Sequence, residues 1–443
     1  MYESSKDHSF MVISAGTGIN LALGVLYTWS IFKGAIRESI ASGAEGAFNW
    51  ELSSLNDPYA VCCLVFACSM ILAGSVQDRF GPRVTAFIGG ILVGAGFLLI
   101  STTTDYWGWI IGFGILVGIG IAFGYSAATP AALKWYPPSK TGKIAGIVVS
   151  GFGLASVYIA PLATYLLALW GLQDAMLAFG IGFFVLVGLL SFLLVSPPPG
   201  YTPKGFIDRR DENKNNVTRR NDFEDASESP LQMLKTSTFW LTWTLYFIGA
   251  GSGLMVIGSV AGMAKSSLGE QAFIAVAILA LGNAAGRIVA GIASDHYGRA
   301  HTLAILFVFQ ALLMFTAASV IGAESTSAII LVLLTSFIGF NYGSNLALFP
   351  AISKDLWGIK HFGMNYGILF TAWGVGGFVM SKASEIIRVE SGSFTTSFYT
   401  AGIMLIIGSG LTFLLHTHPV KRQRREIRKN EKITKETTMF QPK

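Results

Sequence analysis

The sequence has few charged residues and few cysteines for its length. Only 13% of its 443 residues are charged, whereas 52% are hydrophobic and the mean hydropathy is +0.56. A soluble protein of this size carries far more surface charge, so the composition excludes that class. The three cysteines, Cys62, Cys63 and Cys68, lie in one apolar stretch. That placement suits neither a disulfide framework nor the spacing of a zinc site.

Motifs for catalysis and for cofactor binding are also missing. The sequence has no G-x-x-x-x-G-K-[ST] phosphate-binding loop, and its six histidines are scattered among predicted loops and helix ends. We therefore predict no enzymatic activity, no metal site and no organic cofactor. The net charge of +6 comes from loops and the C-terminal tail, as in a membrane protein, and gives no reason to expect nucleic acid as a partner.

Long apolar runs, in contrast, occur along almost the whole chain. A run of about 20 apolar residues can cross the hydrocarbon core as a helix. Twelve such runs lie near residues 10–32, 57–77, 84–102, 107–133, 142–168, 175–195, 238–263, 271–294, 301–321, 327–352, 362–386 and 395–416. The sequence therefore predicts an all-α membrane protein with twelve transmembrane helices.

A polar stretch divides these runs into two sets of six. It opens with Pro197, Pro198 and Pro199 and mixes arginine with acidic residues, which is typical of a mobile linker. We predict an N-terminal six-helix bundle at 1–195, a linker at 196–237, a C-terminal six-helix bundle at 238–416 and a basic tail at 417–443.

Lysine and arginine are distributed unequally between the two faces of this topology. One face carries both termini, the linker and most of the basic loops. The other carries Lys33, Arg37, Lys265, Lys382 and Arg388. The positive-inside rule predicts cytoplasmic termini for a multi-pass protein of the plasma (bacterial inner) membrane, which we expect to be monomeric and surrounded by lipid. The tail is either a topology signal or, in addition, a site for anionic lipid.

The two halves share sequence motifs. GSVQDRFGPR (Gly74–Arg83) matches GIASDHYGRA (Gly291–Ala300) at an offset of 217 residues, as G-x-x-x-D-x-x-G. GIVVSGFG from Gly146 matches GILFTAWG from Gly367 at an offset of 221 residues. Two matches at nearly the same offset indicate a duplicated six-helix unit, with a binding site at the interface between the halves.

Arg287 interrupts the eighth predicted span. It precedes Asp295, the first charged residue after that span, by eight positions, roughly 12 Å along a helix. The hydrocarbon half-thickness is roughly 15 Å, so Arg287 lies near the bilayer midplane. Burying its charge costs at least ~2.5 kcal/mol, which indicates a functional site for an anion. The alternative is a structural ion pair, which needs an acid within an apolar span, and we find none.

The chain resembles the major facilitator superfamily, whose signature loop is G-x-x-x-D-R-x-G-P-R. Within it the chain resembles the oxalate:formate antiporter family, close to its monocarboxylate transporter-like members. The matching motifs are GVLYTWSIF, GYSAATPAALKWYP, TSTFWLTW, NAAGRIVAGIASDHYGR, ALFPAISKDLWG and NYGILFTAWG. This resemblance implies secondary transport of small carboxylates by alternating access, with protons or a counter-anion as the coupled ion.

The resemblance also implies a substrate site. Arg287 would bind the carboxylate, because a guanidinium matches two carboxylate oxygens and stays charged. Asn283 stands where proton-coupled animal monocarboxylate transporters have an aspartate, so it either contacts substrate or packs between helices. Family positions place Tyr27, Tyr125 and Tyr342 in the cavity.

Trp373 is the last predicted substrate residue, and it stands where oxalate exchangers of the family have a lysine. Without that second cation, a monoanion is the better match, because a second carboxylate would be buried without a partner. The predicted substrate is therefore a monocarboxylate of the lactate, pyruvate or formate type. The alternatives are oxalate:formate-like exchange and, from a different class, a non-transporting sensor on the same scaffold.

The repeated loops imply a latch that closes the cytoplasmic side. The predicted gating residues are Asp78, Arg79, Arg83, Asp295 and Arg299. A carboxylate in such a loop interacts favourably with a helix N-terminus and with neighbouring basic residues. The alternative is a role in capping and topology alone.

Overall fold

The computed structural model describes residues 7–44, 46–51, 54–55, 57–137, 140–198, 201, 227–268, 272–320, 328–391 and 395–415. Most of the predicted linker and the whole predicted basic tail lie outside the described residues. All regular elements within the described residues are helical.

Thirteen helices are assigned along the described residues, in the following order. They are α1 (Ser9–Leu23), α2 (Trp29–Ser42), α3 (Asp57–Ser101), α4 (Tyr106–Trp109), α5 (Gly118–Leu133), α6 (Thr141–Phe192), α7 (Pro230–Leu234), α8 (Ser237–Leu268), α9 (Ala272–Tyr297), α10 (Arg299–Val320), α11 (Ala328–Trp357), α12 (Phe362–Ser391) and α13 (Thr395–Leu415). A 3₁₀ turn (Gly24–Thr28) joins α1 to α2, and a π-helical stretch (Ile110–Val117) joins α4 to α5.

Two of these helices change direction at a glycine. Gly81 within α3 has φ 81° and Gly171 within α6 has φ 75°, a backbone conformation that favours glycine. Each glycine therefore separates two membrane crossings. Seven stretches of the described chain are long and apolar enough to span a membrane, and two of them are these double crossings. With α8, α9 and α12, this gives the twelve crossings of two six-helix bundles.

The first crossing extends ten residues beyond its predicted end. The sequence predicts a helix that stops near residue 32, whereas α2 continues to Ser42 and ends at Gly43, which has φ 58°. Lys33, Arg37 and Glu38 lower the hydropathy of this segment without interrupting the helix. A hydropathy criterion detects the apolar run and misses the amphipathic turns that follow it.

The end of the predicted linker is structured. Ser229 and Gln232 form a capping box at the start of α7. The Glu228 N–H donates to the Trp357 carbonyl at 3.1 Å, and the Asn365 side chain donates to the Glu228 carbonyl at 2.9 Å. These bonds hold residues 227–234 against the connection between α11 and α12.

Close backbone contacts join the N-terminal half (residues 9–192) to the C-terminal half (residues 237–415). In the first pair of helices, α6 and α9, a Cβ on Gly142 would overlap the Gly291 carbonyl oxygen, and one on Gly146 would overlap that of Arg287. Only glycine allows the helices to approach this closely. We call the face where α6 begins the inner face.

The second pair, α3 and α12, repeats these contacts. A Cβ on Gly363 would meet the Gly74 carbonyl oxygen, and one on Gly367 would overlap that of Met70. The offsets are those of the sequence repeat: 291 minus 74 is 217, and 363 minus 142 is 221. The duplication detected in the sequence therefore recurs as two equivalent helix contacts between the halves.

Candidate binding site between the two halves

Arg287 lies on α9 at the contact between the halves. Its side chain is fully buried, and it is the one charged residue in the buried class among the residues whose exposure is described. Nε donates to Asn283 Oδ1 at 2.9 Å, as the spacing of four residues on one helix face allows. Nη1 donates to the Val149 carbonyl of α6. This second bond crosses from one half to the other.

The third nitrogen of the guanidinium, Nη2, has no hydrogen-bond partner in the described part of the chain. The guanidinium lies 6.0 Å from the centre of the Phe152 ring. A Cβ on Gly153 would lie 3.3 Å from both Arg287 Nε and Asn283 Oδ1, so glycine at 153 leaves room for this pair. The arrangement leaves one donor of a buried cation for an anion.

Three further predicted residues form a hydrogen-bonded chain beside Arg287. Trp373 Nε1 donates to the Tyr342 hydroxyl at 2.9 Å, and the Tyr342 and Tyr27 hydroxyls are 3.1 Å apart. Tyr27 also interacts electrostatically with the guanidinium of Arg287. Since Tyr27 belongs to the N-terminal half and Tyr342 and Trp373 belong to the C-terminal half, this chain also joins the halves.

Tyr125, the sixth predicted residue, takes a different position. Its ring packs against Phe66, Phe152 and Phe370 with centroids 5.7, 5.6 and 5.6 Å away. Its hydroxyl faces Tyr366 and has no hydrogen-bond partner among the described residues. The structure therefore brings together five of the six predicted residues and places Tyr125 in a neighbouring layer.

Sequence reasoning missed the aromatic residues that surround this chain. Phe66 lies 5.7 Å from Trp373 and 5.2 Å from Phe370, and Phe370 stacks on Trp373 at 5.1 Å. Phe152 packs edge-on against Tyr27 at 5.2 Å. Phenylalanine in an apolar span carries no distinguishing signal, although Phe370 lies three residues before Trp373 on the same helix face. These rings surround the hydrogen-bonded chain with apolar surface.

Two carboxylates bind backbone amides of the opposite half at the inner face, and we call each of them, with the amides it binds, a latch. Asp78 accepts hydrogen bonds from the Gly363 and Met364 N–H groups at 2.9 and 2.8 Å. Asp295 accepts from the Gly142 and Lys143 N–H groups at 2.8 and 2.7 Å. Each carboxylate therefore binds the N-terminus of a helix in the opposite half, where the helix dipole favours negative charge.

The two latches have different basic neighbours. Arg299 forms ion pairs with Asp295 at 2.6 Å and with Asp355 at 2.8 Å. Arg79 and Arg83 are exposed, and the guanidinium of Arg79 lies over the Phe80 ring at 5.4 Å. The structure thus brings one of the three predicted arginines to a latch.

Lys134, which follows α5, and His361, which precedes α12, interact electrostatically with the carboxylate of Asp78. Burial lowers the pKa of Lys134, and the negative charge of Asp78 opposes part of this shift. The Asp78 latch therefore has a partly desolvated lysine in its neighbourhood, whereas the Asp295 latch has a direct arginine contact.

Several named proteins are similar in sequence to this chain over most of its length. The oxalate:formate antiporter of Oxalobacter formigenes is 26% identical over 416 residues, 93% of this chain and 91% of that protein. The MFS-type transporter YhjX of Escherichia coli is 27% identical over 80% of this chain and 82% of its own length. Human monocarboxylate transporter 11 is 25% identical over 76% of this chain and 69% of its own length.

Solved structures show the same fold. The proton:xylose symporter XylE matches with a TM-score of 0.69 at 14% identity, over 92% of this chain and 95% of that one. The fucose:proton symporter FucP of E. coli matches with a TM-score of 0.63 at 12% identity, over 92% and 99%. The family model of the Major Facilitator Superfamily matches residues 9–270 and 242–442. The chain belongs to the Major Facilitator Superfamily and is an integral, multi-pass membrane transporter of small molecules, not an enzyme.

Proposed function

We propose that this transporter carries small monocarboxylate anions, of the lactate, pyruvate or formate type, with Arg287 as the carboxylate anchor. The observation that supports this most strongly is the buried guanidinium with one unpartnered nitrogen at the contact between the halves. No ion pair of Arg287 is found within the described residues, so its charge has only neutral partners. A carboxylate would supply the missing counter-charge.

The hydrogen bonds of Arg287 suggest how binding is coupled to movement. A carboxylate first meets Nη2 and, to bind both oxygens, takes Nη1 from the Val149 carbonyl. That exchange removes a bond between the halves and replaces it with one to the substrate. Substrate binding thereby weakens the contact between α6 and α9.

The single cation also supports the choice of a monoanion. The walls beside Arg287 consist of aromatic rings and of tyrosine and tryptophan donors, with no second cation in the described part of the site. A dicarboxylate would bring one negative charge into this apolar surrounding without a partner, at a cost of several kcal/mol per ion. For a lactate-like substrate, the guanidinium and the tyrosine hydroxyls beside it supply enough polar partners.

We further propose that the inner face is cytoplasmic, that the membrane is the plasma (bacterial inner) membrane, and that both latches close this face while substrate enters from outside. The positive-inside distribution of lysine and arginine supports this orientation. Bundles near 1–195 and 238–416 move as the two units of alternating access.

Counterflow of labelled lactate, pyruvate and formate in proteoliposomes tests this proposal. We expect Arg287→Ala to reduce counterflow at least ~30-fold, since truncating a buried charge that pairs with substrate costs ~2 kcal/mol or more. Arg37→Gln, which removes an exposed arginine outside the site, is the matched control and should leave counterflow unchanged. Undiminished counterflow in Arg287→Ala would refute the carboxylate anchor.

The same assay, repeated with and without a pH gradient, distinguishes proton symport from anion exchange. Loading the liposome interior with oxalate tests the exchanger alternative, because an oxalate:formate-like carrier would accept oxalate as the counter-substrate. Ligand binding without any flux would instead favour a sensor.

A further inference from the structure

Three tyrosine hydroxyls converge between the Arg287 layer and the inner face. Tyr125 lies on α5, Tyr246 on α8 and Tyr366 on α12, and these side chains are 3%, 0% and 3% exposed. The Tyr366 hydroxyl faces those of Tyr125 and Tyr246. We call these three side chains the inner tyrosine cluster.

None of these three hydroxyls has a hydrogen-bond partner within the described residues. Buried tyrosine hydroxyls usually find an acceptor, because leaving the O–H unpaired forfeits its hydration. Here three of them, from different helices and from both halves, lie close enough for Tyr366 to interact with the other two, but none forms a full hydrogen bond. They offer up to three O–H donors and no charge.

Phe370 lies between this cluster and Trp373. Its ring centre lies 5.6, 6.2 and 5.7 Å from those of Tyr125, Tyr246 and Tyr366. On its other side Phe370 stacks on Trp373, at 5.1 Å and an interplanar angle of 21°.

The cluster also lies next to the Asp78 latch along α12. Tyr366 follows Met364 by two residues, and the Met364 N–H donates to Asp78. Trp373 follows Tyr366 by seven residues, which corresponds to roughly 10 Å along the helix. A ligand that moves from Arg287 to the inner face therefore passes the inner tyrosine cluster before it reaches the latch.

We propose that the inner tyrosine cluster is a second binding station for the substrate carboxylate, on the inner side of Phe370. This inference rests on the proposed function. The three O–H groups donate to the carboxylate oxygens after the anion leaves Arg287. Because the station is uncharged, it holds the anion more weakly than the guanidinium does and releases it when the Asp78 latch opens.

The test measures half-saturating concentrations separately at the two faces in proteoliposomes. The probe is the one of labelled lactate, pyruvate and formate that gives the fastest wild-type counterflow. The three native cysteines are replaced by serine, and Lys143→Cys adds one cysteine beside the Asp295 latch. A membrane-impermeant maleimide then inactivates the transporters whose inner face is outside the liposome, or, when applied from inside, those of the opposite orientation. The variants are Tyr246→Phe and Tyr366→Phe, which remove only a hydroxyl oxygen.

We expect each variant to raise the half-saturating concentration at the inner face about fivefold, the worth of roughly one hydrogen bond, and to leave the outer face within about twofold of wild type. Tyr399→Phe, at a 44% exposed tyrosine of α13, is the control and should change neither value. Equal changes at both faces would assign the tyrosines to the Arg287 site, and no change at either would make them packing residues. Either result overturns the second station alone, whereas a wild-type protein without counterflow overturns the proposed function as well.

Discussion

Two pairs of helices join the halves of this transporter by equivalent backbone contacts, but their side chains differ. In the pair α6 and α9, Arg287 and Asn283 are polar. At an offset of 217 residues, the pair α3 and α12 has Met70 and Phe66 in their places. The glycine contacts thus occur in both pairs, whereas the buried Arg287–Asn283 pair occurs in only one of them.

Under the proposed function, the difference separates two tasks, the movement of the halves and the binding of substrate. The glycine contacts allow the halves to close on each other and are needed twice, because the movement is symmetric. A single anion needs one cation, so a second arginine at Met70 would be buried without a counter-charge. Comparing the two pairs therefore separates the residues needed for movement from those needed for binding.

The largest expected effect comes from breaking both contacts in the same way. Gly146→Leu and Gly367→Leu should each reduce transport more than ~10-fold, because the added side chain collides with backbone that cannot move aside. Gly182→Leu is the matched control, since a Cβ at Gly182 meets open space. Counterflow rates, together with melting temperatures in detergent to detect misfolding, provide the measurement. Unequal losses for Gly146 and Gly367 would contradict the equivalence of the two pairs.

A smaller effect, on selectivity, should follow from adding a cation to the apolar pair. Trp373→Lys places an ammonium group beside Tyr342 and Phe66, where a second carboxylate could pair with it. We expect the ratio of oxalate to lactate counterflow to rise about tenfold, equivalent to ~1.4 kcal/mol. Trp373→Met, which removes the indole without adding charge, is the control. Unchanged selectivity in Trp373→Lys would disprove the electrostatic argument.

The smallest effects should distinguish the two latches. Asp78→Asn removes a charge at a helix N-terminus and should open the inner face about threefold more often, whereas Asp295→Asn also loses the Arg299 ion pair and should reach about fivefold. Maleimide labelling of a cysteine at the buried position Ala145 reports opening, in the background without native cysteines. Arg83→Gln is the control, because Arg83 is exposed. Equal effects of the two aspartate variants would show that Arg299 adds nothing.

The sequence was sufficient to predict the twelve crossings, the repeat and the central arginine. Hydropathy, the two offsets and the depth of Arg287 each follow from a one-dimensional pattern. The comparisons and the fold confirm the superfamily and the twelve-helix architecture. The substrate, the domain boundaries and the roles of the site residues remain predictions.

Other features had no signal in the sequence. The acceptor for Arg287 is the Val149 carbonyl, and every residue has a carbonyl, so no residue type marks it. Tyr246 and Tyr366 belong to different helices, and their approach to Tyr125 depends on how those helices rotate and pack. The hydropathy criterion ended the first crossing too early, because polar residues lower the hydropathy of the last turns of α2 although the helix continues.

Under the proposed function, the single charge of Arg287 has an electrical consequence. A site with one fixed positive charge becomes neutral when a monoanion binds, so the loaded carrier reorients without moving net charge at this site. The empty carrier retains the positive charge, on which the membrane voltage acts with ~2.3 kcal/mol per elementary charge per 100 mV. In exchange, where the carrier crosses loaded in both directions, voltage has little influence. In net flux, the return of the empty carrier is the step that the membrane potential speeds or slows.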